Sequence, residues 1–280
     1  MHAAIDFGIS NTDAVAQAAD GTLRRWTQPT DGPPTPALIA QILANGGIEL
    51  DSVQRLAVTG GRHQELPAQL GTTAVIGVGE VPAIGRGGQV LAELAGHASA
   101  SALVVSAGSG TAVVSARART YAHVTGSAVG GGTLLGLSRL LLGTVDPHEI
   151  DALARNGDPN GADLSLADVV GGPIGRLPAS ATAVNFGRLA RQALDVCRED
   201  LAAALVTLVG QVIAVTAINA ARAQQLERVI VIGHLTDMPS VRNVLDLVGD
   251  WYGLPLTLPA DAGYGTALGA LFAAIEQAPG

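Results

Sequence analysis

Six short stretches, most of them closing or following an apolar run, come in a fixed order along this chain. They are Ile5-Asp6-Phe7-Gly8, Thr59-Gly60-Gly61, Gly79-Glu80, Ser106-Ala107-Gly108-Ser109-Gly110-Thr111, Gly130-Gly131-Gly132-Thr133 and Val231-Ile232-Gly233. An apolar strand that ends in Asp-x-Gly offers a carboxylate, Asp6, to hydrated Mg²⁺. A second strand that ends in Gly-Ser-Gly-Thr offers backbone N–H groups and hydroxyls to phosphate oxygens. Two such turns facing each other would clamp a nucleoside triphosphate. Gly8, Ser10 and Asn11 would line the first turn, and Gly108, Ser109, Gly110 and Thr111 the second. Gly130, Gly131 and Gly132 precede a helix whose N-terminus suits a phosphate or a closely approaching nucleotide; close helix–sheet packing explains the same glycines, and both readings stay open.

Composition narrows the partners. The chain has 280 residues, 48% hydrophobic and 14% charged, enough to bury a full core in one large or two coupled domains. A net charge of -8 argues against a nucleic-acid or anionic-membrane partner, because both require basic surface. Lysine is absent and all 16 basic residues are arginine, which excludes a P-loop. Cys197 has no disulfide partner and no metal-ligand neighbours, so it reads as a packed helix residue in a reducing cytoplasm. The other histidines, His2, His63, His97, His148 and His234, lack zinc-site pairing. The opening residues lack the basic flank of a secretory leader. Leu201 to Ala221 is long and apolar enough to imitate a membrane span, yet charges bracket it and a strand-like run follows at once. A long central helix buried in a domain or dimer interface is the better reading.

Period and punctuation predict an α/β chain. His2–Phe7, Val53–Val58, Thr73–Val78, Leu103–Ser106 and Val229–Ile232 read as strands. Asp20-Gly21 reads as a hairpin turn, and Thr35-Pro36 as an N-cap opening a helix that ends at Gly46-Gly47. Helical spacing covers Pro82–Leu94, Thr133–Leu142, Pro147–Arg155 and Asp200–Gln224, while Asn156–Ser180 reads as an ordered surface excursion. A boundary near Gly96–Ala100 would divide the chain into residues 1–98 and 99–280, with the last helix free to return to the first part. Both parts open with strand, glycine turn and hairpin, as after a duplication.

The stretches Val124-Thr125-Gly126-Ser127 through Leu137, Asp163-Leu164-Ser165-Leu166-Ala167-Asp168-Val169-Val170-Gly171-Gly172, Ala183-Val184-Asn185-Phe186-Gly187 and Gly263-Tyr264-Gly265-Thr266-Ala267-Leu268-Gly269 add specificity. With them, nearly the whole chain resembles the type II pantothenate kinases of the actin/hexokinase/acetate-kinase superfamily. The resemblance implies two RNase H-like domains with a nucleotide cleft between them, the actin-like ATPase fold. It also implies ATP and Mg²⁺ as cofactors, a homodimer built on the long helix, pantothenate as phosphoryl acceptor and a CoA thioester as inhibitor.

An unactivated alcohol needs a carboxylate to take its proton as the new P–O bond forms. Glu80, after a buried-strand run and before a helix, is the candidate base, and it matches the family's catalytic glutamate. A helix-capping acid is the plain alternative. Gly233 resembles the family's adenosine contact or simply terminates a strand. Ser106 and Ser109 match positions that meet substrate or inhibitor. Two departures bear on the substrate. Asp13 stands where the first phosphate motif usually ends in lysine, and it points either to Mg²⁺ or to solvent. His123 stands where relatives carry the arginine expected to bind the pantothenate carboxylate, and imidazole does not replace a guanidinium fork. Arg86 and Arg62 are candidates to compensate. The alternatives to pantothenate phosphorylation are a kinase of the same fold with another hydroxyl acceptor and an inactive nucleotide- or CoA-binding regulator.

Overall fold

A computed structural model describes residues 1–97, 100–191 and 195–277. The expected boundary at 98/99 lies outside the described residues. The strands are β1 (His2–Phe7), β2 (Asn11–Gln17), β3 (Leu23–Pro29), β4 (Arg55–Gly60), β5 (Gln69–Leu70), β6 (Thr73–Gly77), β7 (Ser101–Ala107), β8 (Thr111–Arg117), β9 (Thr120–Ser127), β10 (Leu164–Ser165), β11 (Thr182–Val184), β12 (Val229–Ile232) and β13 (Leu256–Thr257). The helices are α1 (Pro36–Asn45), α2 (Glu80–Leu94), α3 (Gly131–Leu141), α4 (Pro147–Asn156), α5 (Leu166–Val170), α6 (Gly187–Arg191), α7 (Arg198–Ala223), α8 (Pro239–Tyr252) and α9 (Gly265–Glu276).

Two mixed sheets repeat one topology. The first runs β3-β2-β1-β4-β6-β5, and the second, read from its other edge, runs β9-β8-β7-β12-β13. In each, an antiparallel meander is followed by parallel strands: β4 beside β1 and β6 beside β4, then β12 beside β7 and β13 beside β12. The strand, turn and hairpin opening visible twice in the sequence is this shared start.

Alternation along the strands sorts side chains into layers. Ala3, Ile5 and Phe7 of β1 face a core closed by Ile39, Ile42 and Leu43 of α1. Ala4 faces the opposite way, into a middle core shared with both sheets. Leu103, Val105 and Ala107 of β7 pack outward against α7 and its neighbours, while Ala102 and Val104 face the middle core. By the same period, Asp6 and Ser106 belong to the inward faces, at the carboxyl ends of the two central strands.

The middle layer is made by α2 and α9 lying against each other. α9 packs on β1, β2 and β4, whereas α2 packs on β7, β8, β9 and β12. Glycines permit the approach: a Cβ on Gly269 would overlap the Ala83 carbonyl oxygen and come within 2.5 Å of Gly87 N, and one on Gly88 would lie 2.6 Å from Val104.

Helix ends follow their sequence signals. Thr35 Oγ1 caps α1 by accepting from Leu38 N at 3.2 Å, and Asp146 caps α4 by accepting from His148 N at 3.0 Å. α7 is long and apolar enough to cross a membrane, but most of its length is buried inside the protein. Cys197 is not a packed residue as the sequence suggested: it is the exposed N-cap of α7, outside the helix it was expected to join. α8 was not anticipated, although Val241, Leu245 and Val248 sit one turn apart and are buried.

Gly269→Ala tests the helix contact. Alanine elsewhere in a helix would add about 1 kcal/mol, but here the clash is with backbone that cannot rotate away, so a net loss of about 1–3 kcal/mol is expected. The urea midpoint should fall; a midpoint at or above the wild-type value would show that α2 and α9 can separate without cost.

Candidate active site

The inward ends of β1 and β7 open onto a cleft of about 540 Å³ lined from both sheets. Asp6, Gly8, Ser10 and Asn11 line it from the β1–β2 turn, Glu80 from the head of α2, and Ser106, Gly108, Ser109, Gly110 and Thr111 from the β7–β8 turn. Gly233 closes the far end after β12. These stretches, from Asp6 to Gly233, therefore meet around one space although they are far apart in sequence.

The two turns touch at their tips, where Ser10 Oγ and Ser109 Oγ lie 2.8 Å apart. Gly61 N donates to Phe7 O at 2.8 Å behind the first turn. Gly60 has φ +82, and a Cβ there would lie 2.6 Å from Asp6 Oδ1 and 2.5 Å from Phe7 O. The Thr59-Gly60-Gly61 stretch thus buttresses Asp6. Gly130, Gly131 and Gly132 play the same part for the second turn. Gly131 N donates to Gly108 O at 2.8 Å and Gly132 N to Ser109 O at 2.9 Å. Those two N–H groups are spent on the turn itself, and only Gly131 of the three lines the cleft. Close packing is what their geometry displays. Gly233 combines φ +105 with a Cβ position that would overlap Ala107 O, so its glycine is required by the backbone.

Arg86 and His123 are not brought to the cleft. The Arg86 guanidinium donates to Glu276 (Nη2, 2.8 Å) and Glu93 (Nη1, 2.8 Å) and lies 5.9 Å from the centroid of the Phe272 ring. It is committed to the α2–α9 contact, which corrects its assignment to substrate. Arg62 forms a two-pronged pair with Glu65 at 2.8 and 2.9 Å. His123 is exposed on edge strand β9, opposite Val114 where the register shifts, outside the cleft lining.

Asp13 does not point to solvent; it lines the cleft with Asp6. It is buried, pairs with Asp6 across β1 and β2, and accepts from His234 Nε2 at 2.8 Å. His234 Nδ1 in turn lies 2.6 Å from Asp237 Oδ2, and the edge of the ring meets Tyr264 at 5.6 Å. Burial by itself would lower the imidazole pKa, but the bonds to Asp13 and Asp237 outweigh it and push it up to about 10. Asp6 moves from its ordinary value up to about 7, chiefly through burial and then through the nearby charges of Asp13 and Glu80, with His234 pulling the other way. His234 lacks the sequence spacing of a zinc ligand, and its partners Asp13 and Asp237 become visible only in the fold. Its place directly after Gly233 was the available signal.

The donor set suits magnesium. Among the described residues no cluster of three or more His, Cys, Asp or Glu side chains is arranged to hold an ion. Asp6, a buried carboxylate beside two turns rich in backbone N–H groups and hydroxyls, fits Mg²⁺ held through water and phosphate oxygens.

The Fumble family model matches residues 94–272. The chain belongs to the Fumble family. It is 26% identical over 228 residues to a type II pantothenate kinase of Bacillus cereus (strain G9842), covering 81% of this chain and 84% of that protein. It is 29% identical over 182 residues to one of Staphylococcus aureus (strain USA300), covering 65% and 68%. Among solved structures, the activator of the 2-hydroxyisocaproyl-CoA dehydratase from Clostridium difficile with bound ADPNP aligns over 99% of this chain and 94% of its own, with TM-score 0.67 and 14% identity. A ROK family glucokinase from Streptomyces griseus, in complex with glucose and AMPPNP, aligns over 98% and 99%, with TM-score 0.58 and 12% identity. The fold of this Fumble-family chain is the actin-like ATPase fold, two RNase H-like halves around a cleft.

The His234 pair predicts a pH dependence. An unfolded imidazole loses its proton near 6.5, whereas native His234 holds it to about 10. Between those values the native state binds a proton that the unfolded state lacks, so this contribution to stability is complete below pH 6.5 and is lost as pH rises toward 10. The advantage of the wild type over His234→Asn in urea midpoint should therefore shrink across that window; an advantage that stays constant from pH 6.5 to 10 would show that the pair does not carry the proton.

Proposed function

We propose that the protein is an ATP-dependent kinase that phosphorylates the hydroxyl of pantothenate, the first step of coenzyme A synthesis, in the cytoplasm. The observation that carries this reading is the convergence of Asp6, Glu80 and two hydroxyl-bearing turns on one cleft in a chain whose family includes type II pantothenate kinases.

The division of labour follows from the geometry. Backbone N–H groups and hydroxyls of the turns at 8–11 and 108–111 bind and orient the phosphates of ATP. When bound, Mg²⁺ neutralises phosphate charge, and Asp6 would hold it through water. The acceptor hydroxyl attacks the γ-phosphorus, Glu80 takes its proton, and ADP leaves with the electrons of the broken P–O bond. Glu80 is the first residue of α2, where the positive end of the helix also favours an acid; capping and catalysis describe the same placement. The apolar side chains of Leu134, Leu135, Leu235 and Met238, on the Gly233 side, offer a surface for the nucleobase.

The same reading includes two lobes, residues 1–98 and 99–280, with α9 returning to the first. It also includes a homodimer through the uncovered stripe of α7, where Leu208, Val212 and Val215 are only half-buried, and a CoA thioester as an end-product inhibitor.

Purified protein with Mg²⁺–ATP should release ADP in proportion to added pantothenate. Glu80→Gln should bind ATP as the wild type does but turn over about 10²–10⁴-fold more slowly. Unchanged turnover would remove Glu80 from the mechanism, and no acceptor-dependent ADP release at all would refute the kinase reading.

A further inference from the structure

We infer that a second cavity, among α4, α7 and α8, is a binding site for an uncharged molecule that carries an amide on an apolar or aromatic body. The site is separate from the cleft and does not depend on the kinase reading.

The cavity holds about 510 Å³, nearly the size of the cleft, and its lining shares no residue with the cleft's. It opens among the C-terminal end of α4, the turn at 157–160, α7 and α8. That volume suits a small molecule and far exceeds what one water molecule needs. The chain passes directly from one space to the other. His234, Leu235 and Met238 line the cleft, and the next two residues, Pro239 and Ser240, open α8 and line the cavity.

Two lining residues carry buried polar atoms with no hydrogen-bond partner among the described residues, Ser240 Oγ and Asn160 Oδ1. Buried polar atoms are paired as a rule, so two of them at one cavity point to a ligand that pairs them. Ser240 is only 8% exposed. Its N–H is held by Asp151 Oδ1 at 2.8 Å, whereas its hydroxyl turns about one bond to donate or accept. Asn160 Nδ2 donates to Ser180 O at 3.0 Å, which fixes the side-chain amide and leaves Oδ1 to accept. Gln211, on α7, accepts through Oε1 from Asn185 Nδ2 at 3.4 Å and keeps Nε2 to donate. The complement of this set is a ligand with both an N–H and a C=O, and an amide offers the two in one planar group.

Charge and shape narrow the class further. Arg155 and Asp158, one of each sign and both exposed, are the only ionisable side chains in the lining. They leave the cavity without a net charge of its own. The Asp151 carboxylate behind Ser240 would repel an anion that reached the hydroxyl. Val206, Val244, Leu247 and Trp251 form the apolar wall, where the indole gives an aromatic ligand a ring to pack against. Leu247 is among the large apolar side chains left exposed on this protein, and such a ligand would cover it.

The test compares benzamide with benzoate, which match in shape and differ in charge, on the full chain labelled with 5-fluorotryptophan. The two tryptophans give two ¹⁹F signals, and Trp26, whose Nε1 donates to Ile42 O at 2.9 Å in the first half, is the internal control. Benzamide is expected to move the Trp251 signal to saturation with a Kd of about 1 mM, as suits so small a ligand, and to leave Trp26 in place. Benzoate should bind about tenfold more weakly or less, because its charge gains no partner on burial. Ser240→Ala should weaken benzamide about fivefold through the loss of one hydrogen bond. The acid–amide comparison uses the wild-type chain and stands even if that variant does not fold. Equal binding of the two compounds, an unchanged Kd in Ser240→Ala, joint movement of both signals or no saturable movement of Trp251 would each overturn the inference, and none of them touches the kinase reading.

Discussion

Everything in this molecule hangs on two helices that touch backbone to backbone. α2 belongs in sequence to the first sheet but packs on the second, and α9 does the reverse. Gly269 and Gly87 let the pair approach closely enough for one middle core to contain side chains from both sheets. Buried apolar area stabilises both halves together in such an arrangement, at roughly 25 cal/mol per Å². The same contact aims the first residue of α2, Glu80, at the space between the carboxyl ends of β1 and β7. Arg86, bonded to Glu93 on its own helix and to Glu276 on α9, fastens the far end of the contact.

The cleft is assembled around a charge problem. Two carboxylates, Asp6 and Asp13, are cross-strand partners on neighbouring strands of one sheet. Like charges so placed repel, and burial adds a desolvation cost. His234 comes from the other half and answers the charge of Asp13 from across the cleft. That bond also ties the two halves together at a point distant from the α2–α9 contact.

Much of this was legible before any coordinates. Strands β1, β4, β7 and β12 and helices α1, α4 and α7 follow from apolar period and capping residues, and the ordered glycine stretches do converge on one cleft. What the sequence did not disclose has a common physical cause, which is partnership over long separations. Asp13 and His234 are 221 residues apart, and Arg86 and Glu276 are 190 apart. No local rule assigns such partners, so Arg86 looked available for substrate and Asp13 looked unpaired. Gly130–Gly132 illustrate a subtler limit. A glycine run before a helix has the same sequence signature whether its N–H groups face a ligand or, as with Gly131 and Gly132, the carbonyls of the neighbouring turn. Cys197 lies one residue before the start of α7, where the chain is still exposed.

The return of α9 to the first sheet has a consequence for synthesis. As the chain leaves the ribosome, β1, β2, β3, β4 and α1 appear early, and α1 can cover one face of their sheet at once. The opposite face, which carries Ala4, Val15 and Ala57, stays without its native cover until residues 265–276 emerge. The first half is therefore not an autonomous cotranslational unit in the usual N-terminus-first sense. Its apolar inner face waits for that helix, and the central strands keep the waiting surface modest by presenting Ala4, Val15 and Ala57 there, with the larger Leu23 and Ile76 on β3 and β6.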